Sequence, residues 1–424
     1  MLQIQTIREN TAEVIQKLNK KHFKQAEESI ETVLNLDNLR RQTQKELDDM
    51  LTETNKISKE IGILFQQGKK ELADELKVKT VQFKEKSKEL NLKLDELEKD
   101  VIQKLYTIPN LPADIVPQGL RAEDNEVVAQ FGTMPNLPED ALPHWELTKK
   151  YEIIDFELGT KITGAGFPVY KGQGARLQRA LINFFLDKAA ANGYLEIQPP
   201  LMVNEASAYG TGQLPDKDAQ MYHVDLDNLY LIPTAEVPVT NIYRDVILNI
   251  NDLPIKNVAY SSCFRREAGS YGKDVRGLNR LHQFDKIEIV QIQEPQNSYA
   301  ALESMCAHVR SLLDALELPY RILRLCGGDM GFTSALTYDF EVYSAAQKRW
   351  LEVSSVSNFE SYQANRMKLR YRDANGKMQL AHTLNGSALA LPRIVAALLE
   401  NNQTAEGICI PKELQAYTGF SIIQ

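Results

Sequence analysis

From about Ser29 to Lys104 the chain sets apolar residues among charged ones with a helical beat. Ile30, Val33 and Leu36, then Leu47, Met50, Leu51, Ile57, Ile61 and Leu64, fall on one narrow stripe. After a break at Gln66-Gln67-Gly68-Lys69 the stripe resumes at Leu72, Leu76, Phe83, Leu90, Leu94, Leu97 and Val101. Proline is missing from the whole stretch, and the glycine at the break can turn the chain. The pattern predicts two long helices folded into an antiparallel coiled-coil hairpin. At ~1.5 Å per residue, helices of about 35 residues reach roughly 50 Å, too far to fold back into a compact core. Met1 to about Glu28 reads as a small helical cap, mildly basic through Lys17, Lys20, Lys21 and Lys24.

Ile108-Pro109-Asn110-Leu111-Pro112 stops the hairpin, because proline cannot continue a helix. The predicted division is therefore a helical arm at 1–108 and a second domain at 109–424. The run to His144 is rich in Pro, Asp and Asn and reads as an irregular connector. Gly174 to Asn192 has the spacing of an amphipathic helix, with Gly193 as its cap and Tyr194 to Ile197 as a following strand. Tyr209 to Pro215 reads as a glycine-punctuated loop. Leu229 to Ile232 reads as a strand leading to Thr234, which can cap a helix holding Glu236 in its first turn. A helix is expected from about Asn297 to Leu316, and strands at Asp339–Tyr343 and Arg349–Ser355. His382 to Ser387 ends a further strand, and Ala388 to Glu400 reads as an alanine- and leucine-rich helix carrying Arg393.

The 424 residues are 43% hydrophobic and 25% charged, which suits a large globular domain plus a second module. A net charge of -8 argues against a general nucleic-acid coat protein, while local basic strips remain open. Lysines on the second arm helix, from Lys69 and Lys70 to Lys88 and Lys93, alternate with acids; a solvated face and a phosphate contact explain them equally well. Cys263, Cys306, Cys326 and Cys409 are scattered without a C-x-x-C pair, the pattern of reduced thiols with no zinc site. No apolar run spans a bilayer and the start lacks the form of a signal peptide, so a cytoplasmic protein is expected.

The chemistry concentrates between Ser262 and Val290, SCFRREAGSYGKDVRGLNRLHQFDKIEIV. Two strands are expected, Cys263 to Glu267 and His282 to Val290, joined by a loop with Gly269, Gly272 and Gly277 and the basic residues Lys273, Arg276 and Arg280. Alternation puts Arg265 and Glu267 on one face and Phe284, Lys286 and Glu288 on one face, with Ile287 and Ile289 turned to the core. An open floor with a guanidinium fork, two carboxylates and a ring suits a nucleotide plus a zwitterion. By pattern alone a surface hairpin with charges on its wet side fits the same residues.

This stretch resembles motif 2 of the class II aminoacyl-tRNA synthetases, in the form seen in the bacterial-type seryl-tRNA synthetases. The helix–glycine–strand–proline run at 174–200 resembles motif 1, Thr234-Ala235-Glu236 the family's amino-acid-binding segment, and the strand–glycine–helix ending in Arg393 motif 3. The resemblance spans nearly the whole chain. It implies an α+β fold, a class II antiparallel sheet flanked by helices, with the hairpin as a tRNA-binding arm, and a homodimer. It also implies activation of L-serine with ATP and Mg²⁺, then transfer to tRNA(Ser), and to tRNA(Sec) where that exists.

The same resemblance implies residue roles. Arg265 would grip the α-phosphate, Phe284 stack on adenine, and Arg393 lie on its other side or on the γ-phosphate. Glu267 and the Leu281 backbone would reach the nucleotide; Arg266, which alternation turns to the other side, Val353 and Ser354 complete that set. Glu352 and Ser355, in Leu351-Glu352-Val353-Ser354-Ser355, would hold Mg²⁺, although strict alternation pairs Glu352 with Ser354. Thr234, Ala235, Glu236, Glu288, Asn385 and Ser387 would line the serine pocket. Two rival readings are a paralogue that charges a carrier protein and a non-catalytic coiled-coil interaction protein. The presence of an arm counts against the first, and intact Arg265, Glu288, Glu352 and Arg393 count against the second.

Overall fold

A computed structural model describes residues 1–216, 219–267 and 276–424. The chain forms two compact units: Leu2–Asn19 with Phe23–Pro109, and Met1 and Lys20–His22 with Asn110–Gln424.

The first unit opens with two short helices, α1 (Ile4–Glu9) and α2 (Thr11–Lys20), and continues as α3 (Ala26–Gln66) and α4 (Lys70–Tyr106). The helices of the hairpin are longer than expected, 41 and 37 residues, so α3 alone reaches about 60 Å. Gly68, at φ +74°, makes the reversal, and the Lys69 amide returns to the Leu64 carbonyl. The buried seam carries Leu47, Leu90 and Leu94, flanked by Ile30, Val33, Ala73 and Val101. It also buries Asp37, which Arg8 and Arg40 approach at 3.4 and 2.9 Å.

The second unit is built on an eight-stranded sheet. In chain order its strands are β1 (Glu126–Phe131), β2 (Leu195–Glu196), β3 (Ile255–Phe264), β4 (Gln283–Gln293), β5 (Tyr320–Arg324), β6 (Leu336–Ser344), β7 (Arg349–Asn358) and β8 (His382–Ala390). Their spatial order is β1-β5-β6-β7-β8-β4-β3-β2. Every pairing is antiparallel except β2 with β3. One face buries Ile287, Ile289, Phe340 and Val356 against α5 (Gly172–Ala191), α8 (Ser298–Ala315) and α10 (Leu391–Asn401). The other face supports α7 (Glu236–Asn241) and α9 (Tyr362–Met367), on which α6 (Glu205–Thr211) packs. This is the α+β, sheet-plus-helices architecture expected from the motifs. No described helix is long and apolar enough to cross a membrane.

Several local expectations are corrected. The connector before His144 holds β1, whose residues are mostly exposed at the sheet edge; an edge strand shows no alternation to read. The supposed loop at Tyr209–Pro215 begins as the last turn of α6, closed by Gly212 at φ +88°. Gly210 is there for close approach: a Cβ would stand 2.6 Å from Asn241 Oδ1. The alanine-rich run after Ser387 stays in β8 as far as Ala390, and α10 starts only at Leu391; a short buried apolar run reads equally as strand or helix.

Candidate active site

Strands β3 and β4 pair residue by residue, with Phe284 opposite Cys263 and Glu288 opposite Ala259. The expected first strand ends earlier than read, at Phe264. Beyond it the Arg265 amide still bonds to the His282 carbonyl at 2.9 Å, then Glu267 turns to φ +49° and alternation is lost. Expectations for Gly269, Gly272 and Lys273 fall outside the described residues. Gly277, at φ +66°, has no room for a side chain: a Cβ would stand 2.2 Å from the His144 ring. That buried ring accepts from the Leu278 amide through Nε2 at 2.8 Å, so its proton sits on Nδ1, 2.7 Å from Glu400. The Glu400–His144–Leu278 chain thus anchors the strand's return into the cleft.

The cleft above the β4 end of the sheet encloses about 700 Å³. Its wall includes Arg265, Glu267, Leu281, Phe284, Glu352 and Arg393 on one side and Thr234, Glu236, Asn385 and Ser387 on the other. The Arg265 guanidinium lies 5.2 Å from the centre of the Phe284 ring, with Nε donating to the Pro233 carbonyl at 3.3 Å. Arg280 donates to Glu267 at 2.9 Å. Arg393 is aimed by two carbonyls: Glu352 at 2.6 Å and Asn279 at 3.1 Å. A fixed fork, a ring and a second fork in one cavity are the elements of a phosphate-and-base site.

The polar end is not the open floor expected. Glu288 and Lys286 are both buried, and their charged atoms lie 2.6 Å apart. The approach is not aligned as a hydrogen bond from Lys286 Nζ to Oε2, so it acts as an ion pair. Asn385 donates to the other Glu288 oxygen at 2.7 Å, and Lys286 donates to Thr234 Oγ1 at 2.8 Å. Thr234 does accept from the Glu236 amide at 3.2 Å, and Glu236 does lie in the first turn of α7. Its carboxyl is buried as well. Burial, then the neighbouring Glu288, push it up to about 7, although a bond from Gln363 pulls the other way. Two acids are therefore buried beside one lysine ammonium.

Strand β7 resolves the spacing of Glu352 and Ser355. Phe340 pairs with Ser354 but Glu341 pairs with Glu352, so Val353 is an extra, bulged residue. The bulge turns both Glu352 and Ser355 to the cleft, while the Ser354 hydroxyl donates to the Ser387 carbonyl. Ser355 bonds to Asp339, whose carboxyl is held well above the usual range by burial and by Glu352. Asp339 Oδ1 is buried without a hydrogen-bond partner among the described residues. Hard oxygens on Glu352 and Ser355, beside the unsatisfied Asp339 carboxyl oxygen, fit a divalent cation such as Mg²⁺, whose charge would favour the ionised form of both acids.

Three expected site residues do not line the cleft wall. Glu288 is buried, held by Asn385 and Lys286, which do line it. Arg266 is exposed outside it, its amide bonded to the Gln220 carbonyl, because the chain leaves the sheet after Phe264. Ala235 is fully buried in a small core with Val239, Ala259 and Val290. Sequence reasoning missed the roles of Lys286, Asp339 and Gln363. Lys286 carried a signal, since it alternates with Phe284 and Glu288 on one strand. Gln363, on α9, carried none.

This fold and site define a class II aminoacyl-tRNA synthetase. Residues 222–402 match the tRNA synthetase class II core domain (G, H, P, S and T), and residues 1–112 match the seryl-tRNA synthetase N-terminal domain. The chain is similar to the serine–tRNA ligase of Salinibacter ruber, at 52% identity over 425 residues covering 100% of this chain and 99% of the relative. It is similar also to that of Chlorobaculum parvum, at 45% over the full length of both. Among solved structures it resembles seryl-tRNA synthetase from Pyrococcus horikoshii complexed with ATP (TM-score 0.94, 34% identity, 100% and 99% coverage). The cytoplasmic serine–tRNA ligase of Naegleria fowleri in complex with AMP also matches (TM-score 0.88, 26% identity, the same coverage). The chain belongs to the seryl-tRNA synthetases.

Proposed function

We propose that the cleft carries out the serine–tRNA ligase reaction with the following division of labour. The serine carboxylate attacks the α-phosphorus of ATP, pyrophosphate leaves, and the seryl group then passes to the 3′-terminal adenosine of tRNA(Ser), releasing AMP. Arg265 holds the α-phosphate as charge builds on it, and Phe284 and Arg393 hold the base and the outer phosphates. Glu267 and the Leu281 backbone reach the nucleotide. Thr234, Glu236, Glu288, Asn385 and Ser387 hold serine, with Lys286 keeping Thr234 and Glu288 in place. Glu352 and Ser355 would hold Mg²⁺, which supplies neutralising charge to the phosphates. No covalent nucleophile is required, because fixing two substrates in line supplies much of the acceleration. The helical hairpin takes the tRNA, the working form is a homodimer in the cytoplasm, and tRNA(Sec) is a second acceptor where it exists.

The observation that carries this reading is the meeting, in one cavity, of the Arg265–Phe284–Arg393 group with the buried acid Glu236, with Glu288 buried beside it and bonded to Asn385 of the wall. Serine-dependent ATP–pyrophosphate exchange tests it, followed by charging of tRNA with labelled serine, with threonine and alanine as controls. Glu288→Ala should abolish serine-dependent exchange, and unchanged exchange would remove Glu288 from the pocket. Exchange without tRNA charging would favour the carrier-protein alternative.

A further inference from the structure

Gln363 does not itself line the cleft, yet it is fully buried against Glu236, which does. Its amide nitrogen donates to Glu236 Oε1 at 2.6 Å and to the Thr211 carbonyl at 3.2 Å. Its amide oxygen accepts from Thr383 Oγ1 at 2.7 Å. Both amide protons and the carbonyl are thereby assigned, and the side chain cannot turn over without placing oxygen against oxygen. Thr383 lies on β8, two residues before Asn385, the donor to Glu288. Gln363 lies on α9, and Thr211 ends α6. Three elements thus converge on one carboxylate oxygen and leave the other for the cleft that Glu236 lines.

We propose that Gln363 is a positioning residue for amino-acid selection: through the Thr383–Gln363–Glu236 chain it holds Glu236 as a carboxylate pointed at the bound amino acid. This rests on the reading of the cleft as the serine site. The physical reason is the cost of the arrangement. A carboxylate buried beside another acid favours its neutral form, and a neutral acid would both lose charge toward the substrate ammonium and be free to rotate. A short hydrogen bond from a fixed amide favours the ionised form and one rotamer. The charged groups facing Glu236 are Glu288 and Lys286 from β4 and Arg265 from the end of β3. Arg366, also on α9, has its guanidinium bonded to the Tyr209 and Leu214 carbonyls, and α6 contributes the Thr211 carbonyl to Gln363.

The test is Gln363→Leu, which keeps size and removes the donor, measured by pyrophosphate exchange across pH. Serine KM should rise about ten- to a hundredfold, the span of a hydrogen bond to a charged group, with ATP KM held. The acid limb of kcat/KM for serine, set in the parent by Glu236 near 7, should move up by about one unit or more, because the lost bond favoured the charged form. A residue that merely filled space would not move that limb. Thr383→Val, which frees the amide oxygen, should shift both quantities in the same direction and by less, and Thr383→Ser should restore them. A folded Gln363→Leu protein with the parent's serine KM and pH limb overturns the proposal. Should Gln363→Leu not fold, Thr383→Val decides on the same two readouts. A parent enzyme with no serine-dependent exchange would instead overturn the reading of the cleft itself.

Discussion

Replacing Lys286 with methionine isolates the central electrostatic feature of the pocket. The ammonium lies 2.6 Å from a Glu288 oxygen, and the two side chains are 7% and 0% exposed, so solvent screens the pair weakly. At an effective dielectric of ~20 the attraction at that distance is about 6 kcal/mol, before the cost of taking both charges out of water. Methionine fills the lysine stem's space but leaves Glu288 buried without its counter-charge, and leaves Thr234 Oγ1 with the Glu236 amide but without the ammonium. Removing one partner of a buried pair costs about 3–5 kcal/mol, a large part of a folded domain's margin. The assay is urea unfolding followed by tryptophan emission. Both tryptophans, Trp145 and Trp350, lie in the unit formed by Asn110–Gln424, so the signal reports on that unit alone. The double variant Lys286→Met/Glu288→Gln removes both charges and should recover about half or more of the loss, a coupling of about 2 kcal/mol. A Lys286→Met loss below about 1 kcal/mol, or simple additivity in the double variant, would refute the argument that these charges depend on one another.

Glu236 predicts an opposed trade between stability and activity. Its carboxyl, at about 7 when folded and 4.5 by its ordinary value, binds a proton in the folded state that the unfolded chain has released. Stability from this group is therefore full below about 4.5 and declines as pH rises to about 7, by roughly 3 kcal/mol in all. Glu236→Gln should flatten that decline and be the more stable protein at pH 8, yet lose serine-dependent exchange; urea midpoints at pH 5 and 8 check it. Deleting about Ser29 to Lys104 should leave adenylate formation largely intact and stop tRNA charging, as labelled-serine transfer would show. Gly277→Ala should cost more than about 1 kcal/mol, because φ is +66° and the new Cβ meets the His144 ring, and ATP KM should rise since Leu278 to Arg280 line the cleft.

The parts of this protein that a sequence declares are those built on a repeating period. The arm was legible because its stripe keeps one helical period on both sides of Gly68, although the seam between Leu36 and Leu47 is filled by Asp37 and Thr43, and Leu51 and Leu72 are exposed. The core face of β4 was legible because Ile287 and Ile289 alternate with Lys286 and Glu288, and all four lie where alternation puts them relative to the sheet. Legibility stops where the period breaks. Arg266 was assigned to the nucleotide, but the chain leaves the ladder one residue earlier, so its side chain is exposed outside the wall. Ser355 could not be paired with Glu352 by counting, because a bulge at Val353 shifts the count by one. Gln363 and Thr383 stand far from Glu236 along the chain, and no local pattern marks a side chain whose partner is fixed only by the packing of α9 on α6 and β8.

The polar end of the cleft looks like a poor way to stabilise a protein, and that is informative. Glu236 and Glu288 are both buried with a single ammonium, Lys286, between Glu288 and Thr234. A hydrophobic replacement of such a group is often neutral or stabilising, so folding alone does not account for it. If the cleft is the serine site, as proposed, a zwitterion with its own ammonium completes the balance, and the deficit is binding energy held for the substrate. Thr234, Glu236, Asn385 and Ser387, which line the cleft there, are hydrogen-bonding groups. A bound alanine would supply the ammonium but leave groups that a hydroxyl would satisfy, a penalty that reaches ~10⁴ in discrimination when the groups are buried. On the reading of the cleft as the serine site, charge balance selects an amino acid in general, and hydrogen-bonding groups select serine in particular. Each function needs the pocket to be buried, and burial is what raises Glu236 and makes its bond from Gln363 worth having.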